Sequence, residues 1–244
     1  MSLTNGRGPL GPNPAGRFAP PLGVPTGAVY VEPLLRRVRG VMGERTVIDS
    51  ERVVLVHRPG QPPAYAFPAS DVQPGPPVSA EPTVPGYVQV PRNAVTAWYE
   101  EEERVFGSPR NPYHRIDCVR ARRRLRVEVG RAVVVDTTDV IALYETSRAP
   151  QLYVKPDAVR MEMLVDSPTR TYCPYKGTAR HWAAKVDGTV VSDVAWSYET
   201  PLPESAPIAG LLSFYSERTT MFQDVPTWFE VPSVPQADAS RGRE

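Results

Sequence analysis

The twelve residues Thr171–Trp182, TYCPYKGTARHW, bring a thiol, an ammonium, a guanidinium and an imidazole into what reads as one hairpin. Cys173 could act as a nucleophile and His181 could move a proton near neutral pH. Lys176 and Arg180 could hold an anion or a carbonyl oxygen. Pro174 presets a turn and Gly177 tolerates positive φ, which predicts a four-residue loop over Pro174–Gly177. In that register Cys173 faces Thr178, Tyr172 faces Ala179 and Thr171 faces Arg180. Alternation then puts Thr171, Cys173, Thr178, Arg180 and Trp182 on one face, with Tyr172, Ala179 and His181 on the other. That geometry forbids a Cys173–His181 dyad but sets Arg180 near the thiol, whose pKa a cation would lower. Glu145, just after a Val-rich strand, is a second proton-transfer candidate.

Each of these residues also has a plainer reading. A lone strand cysteine is usually a small buried hydrophobe, Lys176 a solvated turn residue, and His181 a surface strand residue. Arg180 could be spent in an ion pair with Glu145 or Asp193. Trp196 and Tyr198, in AWSY, either wall a pocket or cap the core. The candidate set is Glu145, Cys173 and His181 for catalysis. For ligand binding it is Tyr172, Tyr175, Lys176, Gly177, Thr178, Arg180, Trp182, Trp196 and Tyr198.

The elements that must position these groups read as β structure. Residues 36–72 and 123–159 form an internal repeat that aligns without a gap at an offset of 87, with Arg36/Arg123, Arg39/Arg126, Gly43/Gly130, Val47/Val134, Asp49/Asp136 and Val53/Val140 identical. Each copy alternates short β-branched runs with turns, as antiparallel sheets do. VDGT, Val186–Thr189, is a strong hairpin turn. Asn93–Phe106 predicts an inter-domain helix with Asn93 as N-cap, Val95, Trp98, Glu102 and Val105 on one face, and Glu100–Glu103 solvated. The run Arg120–Arg126 predicts an edge strand guarded by charge. The expected organisation is a disordered Pro/Gly-rich arm over 1–27, a divergent first copy plus linker helix over 28–118, a second copy carrying the site over 119–230, and a disordered tail over 231–244.

Composition excludes several classes. A net charge of +1 provides no basic field for nucleic acid. No apolar run is long enough to span a bilayer and no signal-peptide core opens the chain, which predicts a cytoplasmic protein. Two cysteines make neither a disulfide framework nor a CxxC pair. Only three of the 28 basic residues are lysine, a bias that points to a GC-rich bacterial genome. No phosphate-loop, dinucleotide or HExxH motif occurs.

Several blocks resemble a known family. LYVKPDAVRMEML (152–164), TYCPYKGTA (171–179), DVAWSYETPLPE (193–204) and IAGLLSFYSE (208–217) resemble, in order, the bacterial domain-of-unknown-function family 427. AWYEEEERVFGSPRNPYHRID (97–117) resembles the linker of its two-copy members. The resemblance covers roughly 27–225 and implies compact antiparallel β-domains of the β-tent type. The family sometimes carries a nucleotidyltransferase label. That chemistry usually needs paired metal-binding carboxylates one residue apart on a strand, and here Asp117 is followed at that spacing by Val119. The chain also departs from the family pattern, with Gln151 where an arginine is usual and His181 before Trp182 where a tyrosine is usual. The expectation is a mainly β, small-molecule-binding protein, with no metal, cofactor, nucleic acid or membrane and no assigned oligomeric state. It is either a cofactor-independent enzyme of specialised metabolism or a non-catalytic binding module. A structural or interaction role is the further alternative.

Overall fold

In the computed structural model, residues 27–227 are described throughout, together with Gly8, residues 10–14, Gly16 and Gly23. Two thirds of the expected arm, 18 of its 27 residues, falls outside the described residues, and the expected tail entirely so. Among the described residues no helix is long and apolar enough to cross a membrane.

The first half runs β1 Tyr30–Pro33, β2 Val38–Met42, β3 Arg45–Ser50, β4 Val54–His57, β5 Ala64–Pro68, β6 Ser79–Ala80, β7 Tyr87–Gln89, β8 Ala97–Glu100 and β9 Glu103–Val105. The second runs β10 Ile116–Val129, β11 Ala132–Glu145, β12 Gln151–Tyr153, β13 Leu164–Cys173, β14 Gly177–Val186, β15 Thr189–Ser197, β16 Leu212–Phe214 and β17 Thr220–Gln223. They form four sheets, ordered β1-β4-β5-β7-β6, β3-β2-β8-β9, β12-β11-β10-β17 and β13-β14-β15-β16. The protein is mainly β and antiparallel.

The repeat seen in the sequence recurs in the strand pairing. Val38 pairs with Ser50, Arg39 with Asp49 and Gly40 with Ile48. Leu125 pairs with Thr137, Arg126 with Asp136 and Val127 with Val135, each 87 residues further on. The bulge after Gly40 matches the one after Val127. Arg37 grips Asp49 through Nε and Nη2 at 2.6–2.7 Å, and Arg124 grips Asp136 likewise at 3.0–3.1 Å. The β1–β4 pairing maps at the same offset onto the outer halves of β10 and β11, and β4–β5 maps onto β11–β12. One long hairpin in the second half is therefore two short ones in the first. Pro33 stands where β10 has Arg120. It cannot donate to a ladder and ends its strand. The largest difference is β13–β16, a sheet without a counterpart in the first half.

That extra sheet closes a core. Leu125, Val127, Val129, Val135 and Ala142 on one sheet meet Leu164, Ala184, Val194, Leu212 and Phe214 on the other, all fully or nearly buried. Each Leu, Val or Phe side chain among them contributes about 1.5–3 kcal/mol relative to exposure. The first half has its own core, where Phe67 and Trp98 stack at 5.8 Å and 8° beside Tyr65.

Two local expectations are corrected. The segment read as a helix is a 3-10 turn at Arg92–Ala94 followed by the β8–β9 hairpin. Trp98 and Glu100 point inward at a period of two. Glu100 is buried, not solvated, because Arg36 meets it at 2.6 Å and the Tyr65 hydroxyl donates to it at 2.6 Å. The arginine run lies on a sheet edge only at its start, since β17 covers β10 from Leu125 onward. The VDGT turn forms as expected, with Asp187 and Gly188 at φ 49° and 76°.

Candidate functional site

The hairpin of the opening stretch joins β13 to β14, one residue out of the expected register. Cys173 pairs with Gly177, Tyr172 with Thr178 and Thr171 with Ala179. The loop is therefore Pro174–Lys176. Gly177 belongs to the strand, at φ 96°, a value that L side chains rarely adopt. A shift of one residue exchanges faces. Cys173 and His181 now share the inner face, while Tyr172, Thr178, Arg180 and Trp182 share the outer one.

On the inner face the expected chemistry is absorbed by packing. Cys173 joins an apolar cluster of Ile116, Leu143, Tyr153, Ala179, Trp196 and Tyr198. Trp196 donates its indole N–H to the Tyr153 hydroxyl at 3.1 Å, and burial holds both the Tyr153 and Tyr198 phenols above their ordinary pKa. His181 is buried rather than on the surface, shares a hydrogen bond with Thr171 Oγ1 at 2.9 Å, and stacks on Tyr215 at 6.0 Å. Burial lowers its pKa. Its Nε2 is taken by Thr171, and its buried Nδ1 meets no hydrogen-bond partner among the described residues, Cys173 included.

On the outer face Arg180 pairs with neither Glu145 nor Asp193. It donates to Asp166 at 2.7 Å and lies 4.0 Å over the Trp182 ring. Trp182 in turn donates to Ser197 Oγ at 3.1 Å.

Lys176 is the largest departure from a solvated turn. Its ammonium is buried and meets Glu145 Oε2 at 2.5 Å, with side chains only 9% and 7% exposed. His114 Nε2 lies 3.1 Å from Glu145 Oε1, close enough for an ion pair but off the line of a hydrogen bond. Arg148 reaches the same oxygen at 3.2 Å. Burial alone would raise the Glu145 pKa. The His114 ring, Lys176 and Arg148 together overcome it and pull the carboxyl down to about 2. Glu145 is thus a fixed carboxylate.

A segment expected only as linker, Gly107–His114, wraps this loop. Arg110 Nε donates to the Pro174 carbonyl at 3.0 Å, the Asn111 amide donates to the Tyr175 hydroxyl at 2.9 Å, and His114 stacks on Tyr175 at 3.7 Å. Its neighbour Tyr113 turns the other way and donates to Glu32 in β1 at 2.9 Å; Glu32 also meets the buried His57 at 2.8 Å. Two adjacent side chains therefore clasp the two halves together. The signal was present in NPYHRID, a block that reads as linker.

Between the halves lies a cleft of about 660 Å³. The hairpin supplies Tyr172, Pro174, Gly177 and Thr178, and the loop after β15 supplies Thr200, Leu202 and Pro203. The first half and the clasp supply Arg36, Glu100, Glu101, Glu103, Arg104, Val105, Phe106 and Arg110. Phe106 and Tyr172 meet across it at 5.1 Å. Of the candidate residues, the cleft brings together Tyr172, Gly177 and Thr178. Glu145, Cys173, Tyr175, Lys176, Arg180, His181, Trp182, Trp196 and Tyr198 do not line it.

Residues 117–225, from the start of β10 to just past β17, match the model of the family described as a domain of unknown function, DUF427. This segment is a DUF427 domain. The matched DUF427 segment contains the β13–β14 hairpin and both sheets of the second half, and it starts just after the clasp. The family model also bears a nucleotidyltransferase label. Among the described residues no three His, Cys, Asp or Glu side chains gather closely enough to hold a metal ion. No curated protein matches the chain.

Proposed function

We propose that this protein binds a small molecule in the cleft between the DUF427 hairpin and the β8–β9 hairpin. The cleft itself carries the reading: about 660 Å³, with aromatic, apolar and guanidinium groups converging from both halves. That volume suits a small organic ligand. A binding role is favoured over proton transfer because none of the three candidate acid–base groups lines the cleft. Glu145 is committed to Lys176, His181 to Thr171, and Cys173 to the apolar cluster.

The matching pair-by-pair registers also support a second part of the proposal, that the first half is a divergent copy of the same domain. Having no counterpart of β13–β16, it serves as the opposite wall of the cleft rather than as a second site.

Native mass spectrometry of the gently purified protein tests the reading, with Tyr172→Ala and Leu202→Ala beside it. The expected result is a retained small molecule that both variants lose while keeping their fold. Retention unchanged in both variants would contradict the placement. Turnover of the retained molecule on incubation would convert the binder into an enzyme.

A further inference from the structure

Charge and ring geometry in the cleft narrow the ligand class. Arg36 is neutralised by Glu100 at 2.6 Å, and Glu100 also accepts from the Tyr65 hydroxyl. Glu101 accepts the Arg37 amide at 2.9 Å. Arg104 and Arg110 are different. Arg104 lies 4.7 Å over the Phe106 ring, and Arg110 spends its Nε on the Pro174 carbonyl at 3.0 Å. Among the described residues neither guanidinium meets a carboxylate, so the terminal N–H groups of both remain for a ligand. Two cleft carboxylates, Glu101 and Glu103, meet no cation among the described residues either, so it is the free guanidinium N–H groups beside the rings, and not a net charge, that point to the ligand. Phe106 and Tyr172, with ring planes tilted by 53° at 5.1 Å, offer an aromatic surface directly beside the guanidiniums.

We infer that the cleft selects a planar aromatic carboxylate, its ring against Phe106 and Tyr172 and its carboxylate on Arg104 and Arg110. A guanidinium presents a planar fork that matches a carboxylate with two parallel hydrogen bonds. Stacking on Phe106 preorganises the Arg104 fork, and the Pro174 contact does the same for Arg110. The inference rests on the cleft being a binding site, and it adds the charge and shape of what enters.

The test uses three naphthalene probes of one shape and three charges: 2-naphthoate, 2-naphthamide and 2-naphthylmethylammonium. Each is titrated calorimetrically into the full-length protein and into Arg104→Gln, Arg110→Gln and Tyr172→Leu. Arg104 and Arg110 are exposed, so their substitution leaves the core untouched. A hydrogen bond between charged groups contributes about 1.5–3 kcal/mol, or roughly tenfold or more in affinity. The expected result is naphthoate binding at least about tenfold tighter than the amide, with the ammonium weakest. Arg104→Gln then removes most of the difference between naphthoate and amide, and Tyr172→Leu weakens both about equally. If the amide or the ammonium binds as tightly as naphthoate, in a Tyr172-dependent way, the cleft stands and the inferred class is wrong. If none of the three binds, or if binding ignores Tyr172 and Arg104, both the class and the site are overturned.

Discussion

Replacing Lys176 by methionine removes the ammonium and leaves the Glu145 carboxylate buried behind the hairpin loop. Breaking a buried pair by deleting one partner costs about 3–5 kcal/mol. Glu145 keeps Arg148 at 3.2 Å and the His114 ring at 3.1 Å, so the low end, about 3 kcal/mol, applies at pH 7. The pH dependence gives a second reading. The Glu145 carboxyl is held at about 2 instead of its ordinary 4.5, which corresponds to roughly 3 kcal/mol at neutral pH. A depressed carboxyl stabilises fully above its unfolded pKa, and the contribution is lost as pH falls from about 4.5 toward 2. In Lys176→Met the folded pKa moves up, so less is lost on acidification. The stability gap between wild type and variant should therefore shrink, to about 1 kcal/mol near pH 3. Urea unfolding followed by tryptophan fluorescence from pH 7 to pH 3 measures the gap. The double variant Glu145→Gln/Lys176→Met should be less unstable than the sum of the singles, because each single leaves a partner unmatched. A gap below about 1 kcal/mol at pH 7, or one that does not change with pH, would refute the buried pair and return Lys176 to the solvated face.

Three further outcomes follow from the geometry. Gly177→Ala should cost about 1–2 kcal/mol in the same urea assay. The added Cβ would meet the Thr200 carbonyl at an ordinary 3.6 Å, so the cost comes from φ 96° and not from a clash. His181, its pKa lowered by burial, should titrate below the ordinary 6.5 in an imidazole NMR experiment. Its contribution to stability is complete above that ordinary value and lost as pH falls through the lowered one, so His181→Gln should flatten stability across that window. Arg180→Ala and Asp166→Ala should each leave stability nearly unchanged, because their pair is 35% and 50% exposed. Neither substitution should affect ligand retention measured by native mass spectrometry.

The sequence was most informative where the pattern is local. Alternating β-branched runs, the Gly43 and Gly130 turns and the VDGT turn act within a few residues, and the 87-residue offset carried over into strand pairing and even into a matching bulge. The β8–β9 segment misled because Val95, Trp98 and Val105 are spaced at helical intervals. A two-residue turn at Glu101–Glu102, with Glu101 at φ 50°, permits two very short strands instead. Buried Glu100 hid this, since a carboxylate looks solvent-facing until Arg36 and Tyr65 arrive from 64 and 35 residues away. The hairpin register was ambiguous because Pro174 and Gly177 suit either a three- or a four-residue loop. Glycine settles it by entering the strand at positive φ. The site's partners were the least legible part. Lys176 and Glu145 are 31 residues apart, and Arg104 and Phe106 come from the other half of the molecule. No local spacing could pair them.

The most direct test of the cleft as the binding site is a map of where a ligand touches. Backbone amide NMR of the labelled protein, recorded before and after addition of the molecule that co-purifies with it, gives that map. The account predicts shifts concentrated at Arg104, Phe106, Arg110, Tyr172, Gly177, Thr178 and Leu202, the groups facing one another across the two halves. Shifts centred on Arg180, Trp182 and Asp166, with the cleft residues unmoved, would contradict it.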